Sequence, residues 1–138
     1  MVGRCSPTLC PGRKMYGEAN MPIATRYLYL ASMDIAPERA ALLHQIYDTE
    51  HVPALLEVPG VRAITRATAE PFAMTMGGAV RNVEVGDEPE FTAIYEIDSP
   101  EVLTSAAWAE AVERGRWPTE VRPYTRNVRQ VLRKVDGV

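Results

Sequence analysis

Residues 24 to 35 read ATRYLYLASMDI. Alternate residues of a strand face opposite sides, so Tyr27, Tyr29, Ala31 and Met33 point one way and Leu28 and Leu30 the other. Apolar side chains on both faces predict a central strand that needs cover on both. Pro37, with its φ already set for a first helical turn, and Glu38, at the positive end of the dipole, predict a helix starting there. Over residues 38 to 51 each residue advances about 100° around the axis, so Leu42, Leu43, Ile46, Tyr47 and, further on, Ala54 share one side with Glu50 near its middle. Pro53 removes a donor and crowds the carbonyl four residues back, which predicts a kink or restart near His51 and Val52, before a close at Val58-Pro59-Gly60.

The pattern then changes period. Residues 61 to 69, VRAITRATA, suggest a thin second strand at a sheet edge. About 20 residues follow, longer than most connections inside a domain, with Gly77-Gly78 in the middle. Phe72, Met74 and Met76 make this stretch either a lid over an apolar pocket or a hairpin with no such role. Residues 91 to 98 alternate Phe91, Ala93, Tyr95 and Ile97 against polar or smaller partners and predict a third strand. Ser99-Pro100-Glu101 predicts a helix with Ser99 as its N-cap, a buried stripe of Val102, Leu103, Ala106 and Ala107, and an end at Gly115. Residues 127 to 135 give the last strand. The order is βαββαβ, an α+β class with a four-stranded antiparallel sheet. In the ferredoxin-like arrangement of that order, strands one and three lie in the centre. Two helices cover one sheet face only. The apolar residues left on the other face predict a sheet-to-sheet homodimer.

Composition narrows the class without changing this picture. The chain has 138 residues, 46% hydrophobic and 24% charged, with a formal net charge of -3. That suits one globular domain over residues 23 to 138 and disfavours nucleic-acid partners. No apolar run is long enough to span a membrane, so no membrane partner is expected. Residues 1 to 22 hold three prolines and three glycines and no apolar period, which predicts a disordered tail. Met21 is an alternative start. Cys5 and Cys10 lie in this tail without a neighbouring histidine; no structural metal and a reducing, cytoplasmic setting are the expectation.

Candidate chemistry gathers in residues 44 to 61, HQIYDTEHVPALLEVPGV. His51 suits proton transfer, because an imidazole titrates near neutral pH and Tyr47 and Glu50 are its helical neighbours. Its bland alternative is a histidine that bonds a carbonyl freed at the kink. Glu50 faces the core in an unbroken helix, where it either orients His51, acts as a base, or is satisfied by Arg62, Arg66 or a tyrosine hydroxyl. Tyr47 is a candidate oxyanion or phenol partner. His44 and Asp48 fall on a solvated stripe, and a metal shared by them with His51 is disfavoured because that stripe points away from the apolar face. No phosphate-cradling glycine motif or nucleophile elbow occurs, so nucleotide cofactors and serine hydrolysis have no support.

The run IYDTEHVP (46 to 53), VPGV (58 to 61) and the late PYTRN (123 to 127), together with the βαββαβ order, resemble the dimeric α/β-barrel superfamily, most closely its EthD-like branch. The chain keeps only the second of the aromatic pair that often precedes the acid and histidine there, having Ile46-Tyr47. The resemblance implies a barrel made by two sheets and a cavity between sheet and helices in each subunit. It also implies enzymes without cofactors, of the isomerase, cyclase, lyase or monooxygenase kind. A cofactor-free general acid/base enzyme acting on a small apolar carbonyl or phenolic compound is the leading expectation. His51, Glu50 and Tyr47 would be catalytic, and Tyr29, Tyr95 and Trp117 would wall the pocket. A non-catalytic binder of the same fold and a structural dimer with a filled cavity are the alternatives.

Overall fold

The computed structural model describes residues 23 to 137. The expected tail over residues 1 to 22, with Cys5, Cys10 and Met21, lies outside the described residues. The strands are β1 (Tyr27–Ile35), β2 (Val61–Thr68), β3 (Phe72–Met76), β4 (Ala79–Val83), β5 (Phe91–Ile97) and β6 (Thr125–Lys134), and the α-helical segments are α1 (Ala40–Ile46), α2 (Val52–Leu56) and α3 (Ala106–Ala111). β2, β5, β1 and β6 lie side by side in that order in one antiparallel sheet. The class is α+β, and the order is compatible with the ferredoxin-like arrangement. The two aromatic-rich strands β1 and β5 hold the centre, and β2 is an edge.

Register fixes which side chains meet the helices. Ala31 lies between Ala93 and Gln130, and Tyr29 between Tyr95 and Leu132. Ala31, Met33, Ile35, Ala93, Tyr95 and Ile97 are buried together with Leu43, Ile46, Leu55 and Val121 from the helical layer. Each fully buried leucine or isoleucine contributes about 1.5–3 kcal/mol against an exposed one. On the opposite face Leu30 lies between Ile94 and Val131, and all three stay partly exposed.

Helix one breaks earlier than Pro53 alone predicts. A π-helical turn, Tyr47–His51, separates α1 from α2, and the Val52 N–H reaches the Tyr47 carbonyl five residues back. The wider turn relieves the clash a proline ring would make in a regular helix. The Thr49 hydroxyl donates to the Gln45 carbonyl at 2.7 Å, a back-bond that also bends helices. Each residue of such a turn advances less than the 100° of an α-helix. Glu50 therefore lags behind the core direction and His51 arrives at it: His51 is 5% exposed. The expectation of a core-facing Glu50 is corrected on this ground.

Two other boundaries differ. Helix two starts as a 3-10 segment, Pro100–Thr104, and its α-helical part, α3, is capped by Ser105, whose hydroxyl accepts the Trp108 N–H at 3.2 Å. Ser99 makes no side-chain cap bond, and Ala106 is exposed rather than part of the buried stripe. The long connection forms the hairpin β3–β4 around Gly77 and Gly78, with φ of 63° and 82°, the left-handed pair that a tight two-residue hairpin turn demands. Phe72, Met74 and Met76 are exposed, so in this chain the hairpin is not a lid over the core.

Candidate functional site

Two π-helical turns face each other across the interior. The first carries His51; the second, Trp117–Val121, follows a chain reversal at Gly115 and ends with the Arg122 N–H on the Trp117 carbonyl. The His51 ring stacks on the Trp117 indole at 3.9 Å between centroids and 8° between planes. Tyr47 packs on the same indole at 4.7 Å. Such turns displace single side chains from the helical register, which is how both rings reach one spot.

Beside this stack lies a cavity of about 260 Å³ between the helical layer and the sheet, whose walls include Tyr29, Tyr47, His51, Tyr95, Trp108 and Trp117. Tyr29 and Tyr95 lie 5.2 Å apart, each 5.6 to 5.9 Å from Trp108. The polar lining comes from Gln130 on β6 and from Arg122. An apolar cavity of about 150 Å³ already holds a benzene ring, so this one suits one or two fused rings.

Burial decides the protonation states. The His51 Nδ1 is buried with no hydrogen-bond partner among the described residues. Desolvation first, and the Arg122 charge second, push the imidazole down to about 4, so it is neutral at physiological pH. Burial pushes Tyr47 up to about 12 and Tyr95 well above the usual phenol range. Both stay protonated. Tyr29 is raised in the same way, by burial first, with the Gln130 side chain working against the rise.

Glu50 stands outside this constellation. Its Oε1 accepts the Arg116 N–H at 2.9 Å and its Oε2 the Arg116 Nε–H at 2.7 Å, and these bonds hold the carboxyl below its ordinary range. The partner is Arg116, not Arg62 or Arg66. Gly115, at φ 71°, makes room for it: a Cβ there would sit 2.6 Å from Oε1. Glu50 thus pins the corner that delivers Trp117. Arg66 instead pairs with Asp48 at 3.0 Å and bonds His44 Nδ1. His44 also meets the Phe91 ring edge-on at 5.1 Å, so it bridges helix and sheet rather than lying on a solvated face. Among the described residues no cluster of three His, Cys, Asp or Glu side chains could hold a metal ion.

The structure therefore brings His51, Tyr47, Tyr29, Tyr95 and Trp117 around one cavity and leaves Glu50 out. It adds Trp108, Gln130 and Arg122, which the sequence pattern does not single out. Trp108 lies one residue past the predicted stripe, and Arg122 carries no signal beyond its place before Pro123-Tyr124. No helix among the described residues is long and apolar enough to cross a membrane.

No family model matches the chain, and no curated protein matches it. Among solved structures it is similar to an ethyl tert-butyl ether d (EthD) family protein from Bacillus halodurans, at 12% identity and a TM-score of 0.49 over 79% of this chain and 98% of that one.

Proposed function

We propose that the protein takes a small, largely apolar carbonyl or phenolic compound into the cavity beside His51 and acts on it without a cofactor, with the neutral imidazole as general base. The observation that carries this reading is His51 in the wall of an open aromatic cavity, with its buried Nδ1 unpartnered among the described residues. Leaving such an atom unpaired costs about 1–3 kcal/mol, and a histidine kept only for packing has no reason to bear that cost. An imidazole neutral at pH 7 has a site open to accept a proton, although a pKa of about 4 makes it a weaker base than one tuned to the working pH. Tyr47, still protonated, is a candidate hydrogen-bond donor to an oxygen that gains charge. The motif resemblance supports the same class of chemistry.

A bicyclic ketone with an acidic C–H, 2-tetralone, tests this. In D2O the wild-type protein is expected to speed exchange of that hydrogen above buffer, and His51→Gln to lower the rate by about a hundredfold or more while binding survives. Quenching of the cavity tryptophans Trp108 and Trp117 reports binding. Saturable binding with no exchange would leave a binding protein, and no binding would remove both.

The assembly proposed with it is a homodimer through the face that carries Leu28, Leu30, Ile94 and Val131. Leu30, Ile94 and Val131 form an apolar row across three strands on the side away from the helices, with Leu28 beside it between Glu96 and Arg133. Light scattering at micromolar concentration should give twice the chain mass. A stable monomer would contradict the dimer.

A further inference from the structure

Arg122 is the one charged side chain among the described residues that line the cavity. It stands at the rim, with its side chain 44% exposed. It does not swing freely. Nη1 and Nη2 donate to the two carboxylate oxygens of Glu113 at 3.1 and 2.9 Å, and Nη2 also donates to the Val112 carbonyl at 2.9 Å. Three of the five guanidinium hydrogens are used; the Nε–H and one Nη1–H have no acceptor among the described residues.

We propose that Arg122 fixes the class of compound the cavity takes: a planar ring of one or two cycles whose oxygen is, or becomes, an anion. This rests on the cavity being a ligand site. Aromatic walls favour the body of such a ring but oppose a buried negative charge, which needs an opposite charge or strong donors to enter. Arg122 supplies both at one end of the cavity: a positive charge, and two N–H groups without an acceptor among the described residues that can donate singly to an oxyanion. For a ketone the step balances within the site. The C–H bond next to the carbonyl breaks, its proton goes to the His51 imidazole, and its electron pair moves to the carbonyl oxygen, giving an enolate that Arg122 faces. For a phenol the O–H proton takes the same route and the phenolate oxygen takes the same place. Glu113 is the positioning residue: it holds the guanidinium at the rim and, as a counter-charge, moderates its pull.

Two probes of one shape separate charge from fit: 4-nitrophenol as its phenolate, in mildly alkaline buffer, and neutral 4-nitroanisole, each followed by difference absorption. The wild-type protein is expected to bind the phenolate at least about tenfold more tightly. Arg122→Leu should lose at least about tenfold in phenolate affinity and stay within about twofold for 4-nitroanisole, which also shows that the variant is folded. Glu113→Gln, which keeps the arginine and removes its counter-charge, should bind phenolate no more weakly than the wild type. Equal affinity of the wild type for the two probes, or a matching loss of both in Arg122→Leu, overturns the role of Arg122 and leaves the cavity reading standing. Failure of both probes to bind the wild-type protein overturns the cavity reading and this one with it.

Discussion

Trp117→Ala is expected to destabilise the protein by about 3–5 kcal/mol, the range for removing a large aromatic from a core. Trp117 is 7% exposed, stacks on His51 at 3.9 Å and packs on Tyr47 at 4.7 Å. Its removal takes away the buried area of an indole and merges a new void with the existing cavity. Water entering from the rim would recover part of the transfer term, so the lower end of the range is the firmer expectation. Trp117→Phe keeps a ring on His51 and should lose less than half as much. Urea unfolding at one protein concentration, with the m-value compared between variants, checks both. A Trp117→Ala variant within about 0.5 kcal/mol of the wild type would mean that the two facing π-turns are not packed as described.

A second large effect is in pH. The pKa of His51 is about 4 when folded, against 6.5 as its ordinary value. Between those values the unfolded chain binds a proton that the native protein does not. The free energy of unfolding therefore falls as pH falls from about 6.5 toward about 4, and the imidazole alone removes about 3 kcal/mol by the bottom of that window. Above about pH 6.5 it contributes no pH dependence. Glu50, Asp34 and Asp98 are all held below the ordinary carboxylate range, so they too withdraw stability as pH falls, from about the bottom of that window downward. The comparison that isolates His51 is wild type minus His51→Gln, measured by urea unfolding at about pH 7 and about pH 4.5. The difference should narrow or change sign toward acid, because the variant has no proton to exclude. A difference independent of pH would place the imidazole in water.

Much of the scaffold was legible from period alone. The two-sided apolar run of β1, the alternation of β5 and the thin edge strand β2 all fell where the sheet has them, because period-2 patterns survive any helix packing above them. The aromatic wall followed from the same alternation: Tyr29 and Tyr95 share a face by parity. The site was less legible where the helix departs from 3.6 residues per turn. A regular wheel puts Glu50 inward and His51 aside, and the π-turn reverses that order; Pro53 announced a break but not its type. Arg116, the partner that takes Glu50, is 66 residues away, a distance over which no local pattern speaks. Arg122 was invisible for the same reason. The hairpin β3–β4 was foreseeable from Gly77-Gly78, while its exposed apolar side chains carry no sign in the sequence of what they meet.

The proposed chemistry stands on His51 as a neutral, buried base in the wall of a cavity that accepts a small planar ring. Long-range proton–nitrogen spectra of the imidazoles address it directly, since the chain has only two histidines and His51→Gln assigns the pair. The His51 ring in the free protein is expected to stay neutral down to a midpoint of about 4, and its nitrogen signals to move on saturation with 2-tetralone at neutral pH. A midpoint near the ordinary histidine value, with signals that no saturating aromatic displaces, would contradict it.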